Sequence, residues 1–183
     1  MSRHIGYLFI APAFIILFFT SIYPVAFSFY FSFFDWNWGN QENFIGLDNY
    51  LFLLTDPEFW TVIYNTFVFA TISCFLEVTI GIILAIFVDR IVFCSTIIRT
   101  ILILPLMVSG IIVSMISKIM FNNLFGVIPY GLKQIDIRSS FFGSTEAAMP
   151  TLIGVDVWWQ TSFVFIIILA ALQGIPSDTV EAA

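Results

Sequence analysis

From Tyr7 to Phe34 the chain carries no charged residue. The run exceeds the roughly 20 apolar residues that an α-helix needs to cross a bilayer, and it is too long for the apolar part, about 7 to 15 residues, of a cleaved signal peptide. It reads as a first transmembrane helix. Pro12 and Pro24 are placed to kink it, and Tyr23, Tyr30, Trp36 and Trp38 to sit at headgroup level. Composition extends the argument to the whole chain, since 60% of the residues are hydrophobic and only 10% charged, against about 25% charged in a soluble domain. With 23 Phe and 5 Trp in 183 residues, there is more apolar surface than one core can hide, and the bilayer is its solvent.

Charge and residue counts exclude whole classes of function. A formal net charge of -6 has the wrong sign for neutralising phosphates, so nucleic acid is not a partner. One histidine, His4, and two cysteines cannot build a zinc site or a thiol catalytic pair, and no metal or cofactor is expected. Cys74 and Cys94 would lie about 30 Å apart along one helix, so two free thiols are expected. No phosphate loop, H-E-x-x-H or G-x-S-x-G sequence is present. Catalysis is therefore not expected, and any energy source is an ion gradient or a partner.

Three more spans follow. T-D-P-E at Thr55 to Glu58 has the form of a helix start, with Thr55 or Asp56 as cap and Pro57 in the first turn. The second span runs from there to about Val88 and ends at Asp89 and Arg90. A third covers Thr100 to about Met120, with Pro105 and Gly110 marking a bend at mid-membrane. Asn122 to Met149 is a mixed polar connection carrying one short helix. The fourth span covers Pro150 to Gly174, and another helix begins after Pro176. The segment from Asp35 to Glu58 holds five acidic residues and neither Lys nor Arg, which places it outside and the N-terminus in the cytoplasm. The fold class is thus an all-α, polytopic transmembrane helical bundle. It divides into residues 1–58, the first helix and external loop, and residues 59–183, the core.

Four stretches, taken in order, resemble one family. They are S-F-F-D-W-N at Ser32 to Asn37; F-I-G-L-D-N-Y, L-L-T-D-P-E-F-W and Y-N-T between Phe44 and Thr66; R-T-I-L-I-L-P at Arg99 to Pro105; and V-D-V-W-W-Q-T-S-F through L-Q-G-I-P-S-D-T-V-E-A-A, Val155 to Ala183. Together they are similar to the inner-membrane permease subunits of binding-protein-dependent ABC sugar importers of the maltose-transporter type. The resemblance implies that Glu181, Ala182 and Ala183 open a cytoplasmic coupling helix that docks on an ATP-binding subunit. It further implies a second permease subunit, an extracytoplasmic sugar-binding protein and a place in the bacterial inner membrane. Against that family the chain reads as four of six spans, cut off inside the coupling loop. Ser162 stands where the family often has Pro, and Pro129 where Asn is usual.

Physical chemistry nominates a second set of residues. Asp156, Trp159 and Gln160 belong to the densest polar and aromatic cluster in any span; rings stack on sugar faces while Asp and Gln bond hydroxyls, as a translocation pathway requires. The alternative is an interfacial tryptophan belt with Asp156 in water, and Trp158 fits that better, because adjacent helical residues point in different directions. Glu77, deep in the second span, reads as an intramembrane polar contact to a neighbouring helix or as part of a proton relay. Three functions stay open: the permease, a fragment of an ion-coupled secondary transporter using Glu77 and Asp156, and a membrane scaffold.

Overall fold

The computed structural model describes residues 3–36, 43–91, 95–135 and 140–175, and over these the protein is helical apart from a two-stranded hairpin. It forms two compact units, Met1–Tyr64 and Asn65–Ala183. Three helical segments, Phe9–Phe31, Pro57–Arg90 and Thr145–Gln173, are long and apolar enough to cross a membrane, and a bent pair between the last two would make a fourth.

In the first unit, α1 (Arg3–Leu17) passes through a π-helical turn, Phe18–Ile22, into α2 (Tyr23–Phe31). The turn answers a covalent problem. Pro24 has no N–H and its ring collides with the carbonyl four residues back. Just ahead of it, Tyr23 bonds to the Phe18 carbonyl five residues away, and the widened turn makes room for the ring. Pro12 is accommodated inside α1.

Beyond α2 the chain forms a short antiparallel hairpin of β1 (Phe34–Asp35) and β2 (Asn43–Phe44), with Phe34 opposite Phe44. Gly46 then takes a φ of 63°, a left-handed conformation that glycine adopts without penalty, and turns the chain into α3 (Asp48–Thr55). The Asn49 amide donates to the Ser32 carbonyl at 2.9 Å and the Phe34 carbonyl at 3.1 Å. The Ser32 and Tyr50 hydroxyls bond at 2.6 Å. The two aromatic-rich stretches singled out in the sequence therefore hold each other, with Asn49 filling one acceptor left open at the end of α2 and one on β1. Asn49→Ala is expected to cost about 1 to 2 kcal/mol, two neutral hydrogen bonds' worth. Limited proteolysis near the hairpin is the measurement, and unchanged cleavage would contradict the role.

Helix α4 (Pro57–Arg90) runs unbroken for 34 residues. Asp56, rather than Thr55, caps it, accepting from the Glu58 N–H at 2.9 Å. Thr55 instead closes α3, its hydroxyl donating to the Leu51 and Phe52 carbonyls.

The third span differs from the single bent helix expected over Thr100 to Met120. It starts earlier, with α5 (Ser95–Ile103), tightens into a 3₁₀ turn at Leu104–Met107, breaks at Val108 and Ser109, and resumes as α6 (Gly110–Met120). The two halves meet at 91°. Pro105 opens the tight turn, and Val108 and Ser109 are extended, so the ladder stops rather than curves. After it comes the expected short helix, α7 (Val127–Lys133). Helix α8 (Thr145–Gln173) begins a turn before Pro150, because the Ser144 hydroxyl accepts from the Ala147 N–H at 3.3 Å and Glu146 favours the first turn. Pro150 lies inside it.

Packing in the second unit centres on α4 and α8. Ala85 and Val88 from α4 meet Phe165 and Leu169 from α8 in a buried cluster, with Leu102 and Ile103 of α5 against it. The buried positions recur every three or four residues, Gly81, Ala85 and Val88 on one helix and Val157, Thr161, Phe165 and Leu169 on the other, the spacing of a single helical stripe. Most other large apolar side chains are exposed, as suits surfaces facing lipid.

Candidate functional site

Polar groups gather where α8 passes α4 and the broken span. Asp156 and Gln160 are four residues apart and share a face of α8, with Trp159 beside them. All three are half-buried. The Asp156 carboxyl on α8 faces that of Glu77 on α4, so the group nearest Glu77 across the helices is a second acid. One turn before Glu77 on the same face of α4, the Ser73 hydroxyl is buried without a hydrogen-bond partner. The same holds for one Glu77 oxygen and for the Thr161 hydroxyl on α8. Buried groups of this kind are costly unless bonded. Such groups call for a further polar partner.

Trp159 is engaged at one end. Its indole N–H donates to the Val108 carbonyl at 3.0 Å, across 51 residues of sequence. Its ring covers Gly110, where an added Cβ would come within 2.9 Å of Cη2. Trp158 points elsewhere and is 57% exposed. Two cavities adjoin it. One of about 550 Å³ lies among α6, α7 and α8, walled by Val113, Ile116, Met120, Ile128 and Thr151. The other, of about 380 Å³, lies among α4, α5 and α8, walled by Ile80, Leu84, Pro105, Thr161 and Phe165. Gly154 and Trp158 belong to both walls.

At the far end of α8 the Gln173 amide oxygen, oriented by its hydrogen bonds, accepts from both terminal nitrogens of Arg99 at 3.1 and 2.8 Å. This ties the middle of α5 to the exit of α8. Glu181, Ala182 and Ala183 lie outside the described residues, as does Cys94; Cys74 is free and exposed. Among the described residues no three His, Cys, Asp or Glu side chains converge as a metal site would require.

The sequence nominates Asp156, Gln160, Trp159 and Glu77 but gives no sign of the Val108 carbonyl, Ser73 or the Arg99–Gln173 pair. A backbone acceptor has no sequence signal, and a serine in an apolar helix looks like any other small residue. Arg99 stands out in the sequence only as the first residue of R-T-I-L-I-L-P, because its partner is 74 positions away in the numbering.

No protein-family model matches this sequence. A probable ABC transporter permease protein of Sinorhizobium fredii is 33% identical over 163 residues, covering 87% of this chain and 53% of that protein. A probable starch degradation products transport system permease protein of Thermoanaerobacterium thermosulfurigenes is 33% identical over 177 residues, covering 97% of this chain and 60% of the relative. Two crystal structures of a bacterial ABC transporter for alginate, an acidic polysaccharide, contain a chain of the same fold. Their TM-scores are 0.82 and 0.81 at 24% and 23% identity, with 97% of this chain and 60% of each neighbour aligned. One of them was solved in complex with an alginate-pentasaccharide-bound periplasmic protein. The chain thus spans a little over half the length of the relatives it matches.

Proposed function

By homology along nearly its whole length the chain is a member of the ABC-transporter permease family, and on that premise we propose that it forms part of the pathway by which a saccharide or related small solute crosses the bacterial inner membrane. It is a multi-pass membrane protein. In this reading it has no chemistry of its own: a separate ATP-binding subunit supplies the energy, a second permease subunit completes the pathway, and an external binding protein delivers the solute. In this reading the N-terminus and Glu181, Ala182 and Ala183 face the cytoplasm, where an acid followed by two small side chains suits close contact with a partner.

The observation that carries the reading is the polar face of α8. Asp156 and Gln160 stand in a helix otherwise built for lipid, next to a span broken at mid-length, and broken backbone at membrane depth is tolerated where it lines a cavity or is buried in protein. Carboxylate and amide groups at that position bond sugar hydroxyls, and the Trp159 ring borders them.

Charge reversal at Glu181 tests the coupling. In the membrane assembly with its ATPase, Glu181→Lys is expected to leave ATP hydrolysis running while labelled saccharide uptake falls several-fold. Uptake that persists without any ATPase, or that ignores the substitution, would count against the importer and leave an ion-driven carrier in its place.

A further inference from the structure

Trp159 enters the sequence reading as a ring for solute to stack on, but its polar atom is already spent. A carbonyl at a helix break has lost its intrahelical partner, and at membrane depth no bulk water replaces it. At Val108 the Trp159 indole N–H fills that vacancy at 3.0 Å. The same ring lies over Gly110, the first residue of α6, so closely that a methyl there would sit 2.9 Å from Cη2. One side chain therefore touches the break itself, at Val108, and the first residue of α6 beyond it. Upstream, the Arg99–Gln173 bond fixes the middle of α5 to the end of α8. Helix α8 thus grips the broken span midway along α5 and at its corner, while α6 beyond the corner borders the larger cavity.

The geometry points to Trp159 as a positioning residue, a latch from α8 that sets the 91° corner between α5 and α6. It acts on the pathway through the shape of the broken span rather than by bonding solute. This rests on the permease reading for its transport consequence, but the corner itself can be measured without transport.

With Cys74 and Cys94 replaced by serine, spin labels at Ile101 on α5 and Met115 on α6, both exposed, report the corner as a distance distribution in the membrane assembly. Trp159→Phe keeps a ring but removes the donor. The population outside the native distance is expected to rise about fivefold, the order supported by one neutral buried hydrogen bond. Gly110→Ala is expected to shift the distribution too, by pushing against Cη2. In the double variant the alanine adds little, because the shorter ring no longer reaches it, and that non-additivity identifies the two as one contact. Maximal uptake in Trp159→Phe should fall in proportion to the native-distance population lost, with KM within about twofold. An unchanged distance distribution in both single variants overturns the latch, as does a raised KM with unchanged distances, which would make Trp159 a solute contact. A shifted distance in an assembly that transports no solute even unsubstituted keeps the latch and removes the permease reading.

Discussion

Gly81→Leu is expected to prise α4 from α8 and to destabilise the second unit by about 3 kcal/mol or more, the upper range for overpacking. A Cβ at Gly81 would meet Val164 Cγ1 at 2.6 Å, Val164 Cβ at 2.9 Å and the Phe165 backbone nitrogen at 3.3 Å. None of these can yield cheaply. Valine is stiff at χ1 in a helix, and the third atom is main chain. The helices must separate, and the contacts of Ala85 and Val88 with Phe165 and Leu169 open with them. In lipid this matters more than in water, because no hydrophobic force pulls two apolar helices together and close packing carries the association. Gly81→Ala should cost less, and Val164→Ala in that background should restore part of the loss by removing the Cγ1 clash. Unfolding by denaturing detergent in micelles is the measurement. A leucine variant within about 0.5 kcal/mol of the parent would show that α4 and α8 do not approach each other this closely in the membrane.

What could be read ahead of the structure follows the range of the forces involved. Local signals were legible: the uncharged run ending near Phe34, the Asp56 and Pro57 helix start, and the end of α4 at Arg90 all depend on residues within a turn of one another. The start of α8 was legible in principle, since Ser144 followed by Glu146 is a helix-opening pattern. Pro150 drew the boundary instead, because proline favours first turns. The corner in the third span was only half visible. Pro105 and Gly110 announce a weak point, but the angle depends on Trp159, 51 residues away. Glu77 likewise stood out as an acid in an apolar helix, while its partner depended on which face α8 turns toward α4. The role of Asn49 was hidden for the same reason: its acceptors, the Ser32 and Phe34 carbonyls, belong to a segment with which it shares no pattern.

Asp156 is where the pathway reading meets its strongest test among the described residues. If its carboxylate bonds solute hydroxyls, Asp156→Ala removes a charge-assisted hydrogen bond of roughly 1.5 to 3 kcal/mol, and KM for uptake should rise about tenfold to a hundredfold. Asp156→Asn keeps the shape and an acceptor oxygen, so its KM should lie between the two. The neighbouring acid separates solute binding from simple structural support. Glu77 faces Asp156 from a helix whose other buried positions are small or apolar, apart from Ser73, so Glu77→Gln leaves a hydrogen-bonding group for Asp156 while removing the second carboxylate. That variant should keep KM within about threefold if Asp156 alone meets solute. An ion-coupled carrier that used both acids would lose uptake in Glu77→Gln and Asp156→Asn alike, and its accumulation would collapse with the ion gradient rather than with ATP. Equal and large KM changes in the two variants would mean that the acid pair binds solute as one unit. No change in any of them would remove this face of α8 from the pathway and leave Asp156 and Glu77 as a contact between two helices.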